Sequence, residues 1–331
     1  MKITFFEVED WETPLIKQLY PEAILSSEHL NSDTVKQFSD SEIVVTFIYS
    51  SVKQDVIDQM PNLKLIATRS TGFDHIDVAY AKTKNIPVVN VPEYGSRTVA
   101  EHTFALLLTL TRKVFMSISQ MKECIFDHKA LRGVDLYQKT FGLIGLGKIG
   151  KETLKIAKGF GMNVIVYNRS QDQELAKELG FTYVDLQQLV AQSDVVSLHL
   201  PYNKDTHHIV NAELINNFKK GSYLLNTARG GLIETDALLA GLESGILAGV
   251  GLDVLEEEKE LGEEIQILNA HKDKNLDLRI LCIDHVLMHH PRVVVTPHNA
   301  FNSIEALNRI MHTTLENIQS FIAGQTKNSV N

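Results

Sequence analysis

The sequence predicts an α/β protein of two Rossmann-like or flavodoxin-like, doubly wound parallel-sheet domains, and three observations carry that prediction. Short β-branched runs alternate with helical patterns almost from end to end, the signature of βαβ units. At 331 residues and 44% hydrophobic, the chain is longer than one core usually fills, since single cores stop growing near ~250 residues. A glycine-rich segment, TFGLIGLGKIG, stands between a strand pattern and a helix pattern near the middle of the chain.

In the first hundred residues the strand candidates are Ile3–Val8, Ile43–Ile48, Leu63–Thr68 and Pro87–Asn90. From Ser96 to Ser119 the pattern becomes one long apolar helix, with Val99, Phe104, Leu107, Leu108, Val114 and Phe115 spaced for burial, which we read as an interdomain helix. Six further strand candidates follow: Thr140–Ile144, Asn163–Tyr167, Val195–Leu200, Ser222–Asn226, Leu247–Leu252 and Arg292–Thr296. The last element, Ser303 to Ile322, carries Ile304, Leu307, Met311, Leu315, Ile318 and Ile322 at three- and four-residue intervals, the stripe of a helix lying on a core. Because the second sheet is already complete, that helix is expected to return to the first domain. The expected division is therefore a discontinuous substrate-binding domain, 1–100 plus 299–331, and a dinucleotide-binding domain, 101–298.

A net charge of −9 and a pI near 5.8 argue against nucleic acid or an anionic membrane as partner, because such binders gather Lys and Arg into patches. Cys124 and Cys282 form no CxxC pair, so neither a disulfide framework nor a cysteine-rich metal site is expected. The opening MKITFFEVEDWE turns acidic early, and no run approaches the ~20 apolar residues that span a bilayer. A soluble, cytoplasmic protein with a small-molecule ligand is the expectation.

In GLGKIG, Gly145, Gly147 and Gly150 have GxGxxG spacing after a strand, with Lys148 and Ile149 opening the helix. Gly145 permits a tight turn, Gly147 lets the backbone approach a pyrophosphate, and Gly150 allows close helix packing, with the helix N-terminus facing the phosphate charge. A kinase-type glycine loop is disfavoured because HRD and DFG segments are absent. The strand before, the helix after and the further strand ending at Tyr167 favour dinucleotide binding. Where an acidic residue would meet the adenosine ribose, the sequence has Asn168, then Arg169. Loss of the carboxylate relieves repulsion toward a 2′-phosphate and Arg169 can pair with one, so the expectation is NAD or NADP, leaning to NADP or dual use.

Three segments at the ends of strand candidates supply a charge-handling set: NTARG with Arg229, GLDVLEEE with Glu258, and VTPHNAF with His298. Ligands of open α/β sheets bind beyond the carboxyl ends of the strands. Reduction of a 2-keto acid needs a cation that holds the carboxylate and polarises the ketone, a proton donor near neutrality, and a carboxylate to orient that donor. Arg, His and Glu fit those needs. Each alone has an ordinary alternative, as a surface cation, a turn residue or one of a solvated acidic run.

Taken together, GLGKIG, NTARGGLIETDAL, GLDVLEEE and TPHNAF resemble the D-isomer-specific 2-hydroxyacid dehydrogenase family over nearly the whole chain. The resemblance implies Arg229 as substrate anchor, His298 as acid/base and Glu258, five residues after Asp253, as its partner in preference to Glu256 or Glu257. It places the active site in the cleft between two similar domains and makes Leu200, Pro201, Thr206, Thr227, Ala228 and Asp253 cofactor contacts. Phe301, Tyr94 and the long stretch between Glu258 and His298 resemble the D-lactate dehydrogenase branch. Thr71 and Gly72 resemble the family's backbone carboxylate cradle, and Phe47 falls near a substrate side-chain pocket. Pyruvate and D-lactate are the implied substrate pair, and a homodimer through the helix near Val99–Phe115 is the implied assembly. Alternatives are a reductase of glyoxylate, hydroxypyruvate or a bulkier 2-keto acid, a phosphite dehydrogenase, or, from another class, a nucleotide-sensing corepressor. His271, His285, His289 and His290 lack a recognisable ligand spacing. His102 reads as a packing or dimer contact, and Cys124 as a helix-face hydrophobe.

Overall fold

The computed structural model describes residues 1–256 and 278–331. The chain divides into two compact units, one formed by Met1–Tyr94 with Asn302–Asn331 and the other by Gly95–Phe301. The divide thus falls at Gly95, where a helix starts, and after Phe301, rather than after residues 100 and 298.

The first unit is a parallel sheet of β1 (Ile3–Phe5), β2 (Ile24–Leu25), β3 (Ile43–Thr46), β4 (Leu65–Thr68) and β5 (Val88–Val89), in the order β2-β1-β3-β4-β5. Strands β3 and β4 are buried at every position, which is why they read as continuous apolar runs instead of alternating ones. The first strand stops earlier than its apolar run because Glu7 turns left-handed, at φ 56°. Its carboxylate then collects the N–H groups of Phe47 at 3.1 Å, Tyr49 at 3.0 Å and Ser50 at 2.9 Å. The Ile304–Ile322 helix, capped by Ser303 Oγ accepting from the Ala306 N–H, packs Met311, Leu315 and Ile318 onto Phe5, Ile43 and Leu65. Ile304 and Ile322 stay exposed at its ends.

The second unit holds a parallel sheet in the order β12-β11-β10-β9-β6-β7-β8. Its strands are β6 (Thr140–Ile144), β7 (Asn163–Tyr167), β8 (Thr182–Tyr183), β9 (Val195–Leu198), β10 (Ser222–Asn226), β11 (Leu247–Leu252) and β12 (Val293–Val295). Two residues long, β8 is too short to show a periodicity, and six strands rather than seven were therefore legible. The order reverses between β6 and β9, the switch point where open sheets leave a crevice for ligands.

The single long helix expected from Ser96 to Ser119 is two helices, Ser96–Thr111 and Val114–Lys122, separated by a left-handed Lys113 at φ 53°. The break has a tertiary cause. The Thr111 carbonyl accepts from the returning Val134 N–H at 3.0 Å, and Gly133 lies so close that a Cβ there would stand 2.3 Å from the same oxygen. Val114 and Phe115 are consequently exposed, not buried as their spacing suggested. Cys124, left-handed at φ 59°, is exposed beyond the end of the second helix instead of on its face. Among the described residues no helix is long and apolar enough to cross a membrane.

Candidate active site

The glycine loop joins β6 to the Lys148–Gly159 helix. Gly145 adopts φ 99°, and a Cβ on it would meet the His199 carbonyl oxygen at 2.5 Å, so only glycine serves at that turn. At Gly150 an added Cβ would stand 2.4 Å from Gly145 O, which brings the helix start hard against the loop. In front of Gly147 nothing lies within 4 Å, so backbone faces open space beside the N-terminus of a long helix. That is a fit for the pyrophosphate of a dinucleotide. Burial pushes the nearby His199 imidazole down to about 3, so it is neutral, and it shares a 2.9 Å hydrogen bond with Ser197.

Asn168, just past β7, accepts from the Leu146 N–H at 3.1 Å and donates to Ser170 O at 2.6 Å. Its carboxamide therefore braces the glycine loop, and Arg169 beside it is exposed. Leu200 is half-buried and Pro201 exposed at the end of β9. The turn after them is closed by Thr206, whose hydroxyl donates to Pro201 O at 2.7 Å. At the end of β10 the buried Asn226 side chain shapes the next turn, accepting from the Ala228 N–H at 3.0 Å and donating to Arg229 O at 2.8 Å. Thr227 shares a 2.9 Å hydrogen bond with Thr103. Arg229 is half-buried, with Nη1 donating to Ala228 O at 2.7 Å. Gly230 follows because a Cβ there would fall 1.9 Å from Leu255 O.

Asp253, 1% exposed, organises the loop after β12. Its carbonyl accepts from the His298 N–H at 2.8 Å, while its carboxylate accepts from the Asn299 and Ala300 N–H groups at 2.8 Å each and from the Thr296 hydroxyl at 2.5 Å. Burial alone would raise its pKa, but hydrogen bonds from His102, Thr296 and the Ala300 and Asn299 amides outweigh that and hold it below the ordinary carboxylate range. His298 is left-handed, φ 50°, and its ring meets Phe301 edge-on at 6.4 Å between centroids. Glu258 lies outside the described residues. Glu256 is committed elsewhere, with Oε1 2.5 Å from His208 Nε2 and Oε2 accepting from the Thr235 hydroxyl at 2.6 Å.

In the first unit, Phe47, Thr71, Gly72 and Tyr94 follow the ends of the adjacent strands β3, β4 and β5. The Thr71 carbonyl accepts from Asn90 Nδ2 at 2.8 Å and the Gly72 carbonyl from Ser70 Oγ at 2.6 Å, while the N–H groups of Thr71 and Gly72 donate to no oxygen among the described residues. Phe47 lies under the Arg69 guanidinium, 5.2 Å from carbon to ring centroid, and that guanidinium is held by Glu12 and by the Phe6 and Glu7 carbonyls. The Tyr94 carbonyl accepts from Arg309 Nε at 2.6 Å.

Sequence reasoning missed Asn226, whose place in NTARG is a signal only once the turn it makes is known, and His102, read as a packing or dimer contact. The His102 ring instead reaches the Thr296 hydroxyl, with Nε2 2.9 Å away. Among the described residues no group of three His, Cys, Asp or Glu side chains could hold a metal ion. His271 lies outside them.

Residues 104–300 match the NAD binding domain of the D-isomer specific 2-hydroxyacid dehydrogenases. The D-lactate dehydrogenase of Escherichia coli is 32% identical over 332 residues, 98% of each chain. A hydroxypyruvate reductase of Thermotoga maritima is 36% identical over 295 residues, 89% of each. Among solved structures, a D-lactate dehydrogenase from Aquifex aeolicus, complexed with NAD and lactic acid, superposes with a TM-score of 0.86 at 34% identity, covering 98% of this chain and 96% of the other. A parallel sheet with a glycine loop at its switch point, an arginine turn after β10 and a histidine loop after β12, the two strands that flank β11, thus belong to a member of the D-isomer-specific 2-hydroxyacid dehydrogenase family, an NAD-binding oxidoreductase acting on CH–OH groups.

Proposed function

We propose that this enzyme interconverts pyruvate and D-lactate. The observation that carries the reading is the loop bearing His298: a non-glycine residue held left-handed by hydrogen bonds to a buried carboxylate, its ring turned edge-on to Phe301. Such conformations cost about 1–3 kcal/mol and persist where the surroundings over-determine them, commonly at functional sites. His298 gives a proton to the carbonyl oxygen in reduction and takes it back in oxidation, and Arg229 anchors the carboxylate through its planar fork. Glu258 takes the role of the carboxylate partner of that imidazole. The engagement of Glu256 with His208 and Thr235 supports the assignment to Glu258. In the first unit the N–H groups of Thr71 and Gly72 suit an oxyanion.

The nicotinamide, when bound, supplies the hydride. This chain holds the dinucleotide with the glycine loop and the residues at the ends of β9, β10 and β11 named above. With Asn168 in place of a carboxylate and Arg169 exposed beside it, both NADH and NADPH serve, NADPH at least as well. Phe301, Tyr94 and Phe47 are the aromatic side chains assigned to the substrate in this reading, and a side chain as small as methyl is the expected one. Comparison of kcat/KM for pyruvate, glyoxylate, hydroxypyruvate, a branched 2-keto acid and, in the oxidative direction, phosphite, each with both cofactors, tests the reading. Pyruvate should lead. A higher value for another substrate reassigns the enzyme within its family, and a strong preference for NADH overturns the cofactor reading.

A homodimer is part of the same proposal. The Val114–Lys122 helix buries none of its residues within the chain, and Phe115, Ile118, Met121 and the following Phe126 present an apolar surface that a second copy would cover. A monomer in sedimentation at micromolar concentration overturns it.

A further inference from the structure

We infer that His102 is a positioning residue for His298, acting through a directional chain of hydrogen bonds that runs from the Ser96–Thr111 helix into the His298 loop. The inference rests on the acid/base reading of His298 given above.

The direction follows from counting protons. A threonine hydroxyl has one hydrogen, and that of Thr296 goes to Asp253 Oδ1, 2.5 Å away. An ionised carboxylate only accepts, and Asp253 also takes the Asn299 and Ala300 N–H groups, which flank the loop just beyond His298. Thr296 Oγ1 is left to accept, and its partner at 2.9 Å is His102 Nε2. His102 therefore carries hydrogen on Nε2, the atom that also stands 3.4 Å from Asp253 Oδ1. The imidazole is a donor at the head of the chain His102, Thr296, Asp253.

Its place on the helix is fixed independently of that chain. Gly251 of β11 lets the helix lie directly on the sheet, since a Cβ there would stand 3.1 Å from Leu106 Cβ and 3.3 Å from Leu110 Cδ1. The adjacent Thr103 hydrogen-bonds Thr227 beside Arg229. Consecutive residues of one helix thus reach the two segments that carry Arg229 and His298. Losing the donor leaves Thr296 free to rotate toward other acceptors, and Asp253 then keeps its backbone partners but loses the side-chain brace that sets the entry to the loop.

The test measures reduction of pyruvate and of glyoxylate with NADH by the full chain carrying His102→Leu, His102→Gln, Thr296→Val, Thr296→Ser, the His102→Leu/Thr296→Val pair or His298→Gln. The expected result is a loss of kcat of about tenfold for His102→Leu and for Thr296→Val, with KM for NADH within about twofold. The pair should lose no more than Thr296→Val alone, since both break one chain. His102→Gln, whose amide can donate, and Thr296→Ser should recover most of kcat. A purely structural histidine would lower thermal stability without this split and without rescue. Unchanged kcat in His102→Leu, or losses that multiply in the pair, overturns the inference while loss of turnover in His298→Gln leaves the acid/base reading standing. Near-normal turnover in His298→Gln removes that reading and this inference with it. Should His102→Leu fold poorly, Thr296→Val and its serine rescue carry the same prediction.

Discussion

The glycine loop after β6 and the histidine loop after β12 reach their shapes by opposite routes. In the first, the residues that dictate the backbone are those of the loop itself: Gly145 because a side chain would strike His199, Gly150 because one would strike Gly145. In the second, His298 adopts an equally unusual backbone with no glycine to ease it, and besides the neighbouring Thr296 the groups that hold it there come from far along the chain: Asp253 just past β11 and His102 from the helix that opens the unit. A loop that binds a constant ligand through backbone can be written locally. One that must present a particular side chain cannot use glycine at that position, and its strain is borne by remote partners.

The largest expected effect falls on the remote partner. Asp253→Asn replaces an acceptor-only group by one whose amide nitrogen must face either the Ala300 N–H or the Asn299 N–H and Thr296 hydroxyl, and unfolding stability should drop by about 3 kcal/mol in urea titrations at neutral pH, with kcat lost beyond that. Because the folded-state pKa of Asp253 is depressed, its ionisation stabilises the protein above the unfolded value near ~3.9 and is lost as pH falls through the lower folded value. The acid limb of the stability curve should therefore be flatter in the variant than in the parent; a drop below about 1 kcal/mol at pH 7 and parallel limbs would show that the loop holds itself. An intermediate effect is expected from Gly150→Ala, where overpacking against Gly145 O should cost about 1–3 kcal/mol of stability. The smallest belongs to Gly147→Ala. With nothing within 4 Å of the new methyl, stability should change by less than about 0.5 kcal/mol, while KM for NADH rises several-fold because the methyl occupies the approach to the phosphates. Equal stability losses in the two alanine variants would erase the distinction between a packing glycine and a binding glycine.

The same contrast explains which features are legible in the amino-acid order. Strands β6, β7, β10 and β11 were legible to the residue because they are short, mainly apolar runs bounded by turn residues. The glycine loop was legible because its geometry is a property of its own spacing. Arg229 and His298 were legible by type and by their place after strands. The break at Lys113 was not, because the sequence there contains neither glycine nor proline and the competing donor, Val134, lies far along the chain. The partner of His102 was not legible for a related reason. Its apolar helix announces burial, but only the packing of that helix across β11 shows that the ring meets Thr296.

By itself, then, the amino-acid order determined the alternation of strands and helices, the glycine loop, the two-unit α/β class and the family, all of which rest on local spacing or on short contiguous motifs. Tertiary structure alone decided where the long helix breaks, which of the buried polar groups brace the His298 loop, and that Glu256 is bound to His208 and Thr235. Those choices turn on hydrogen-bond partners separated by tens of residues or more, and a sequence carries no record of which distant donor a carbonyl or carboxylate will find.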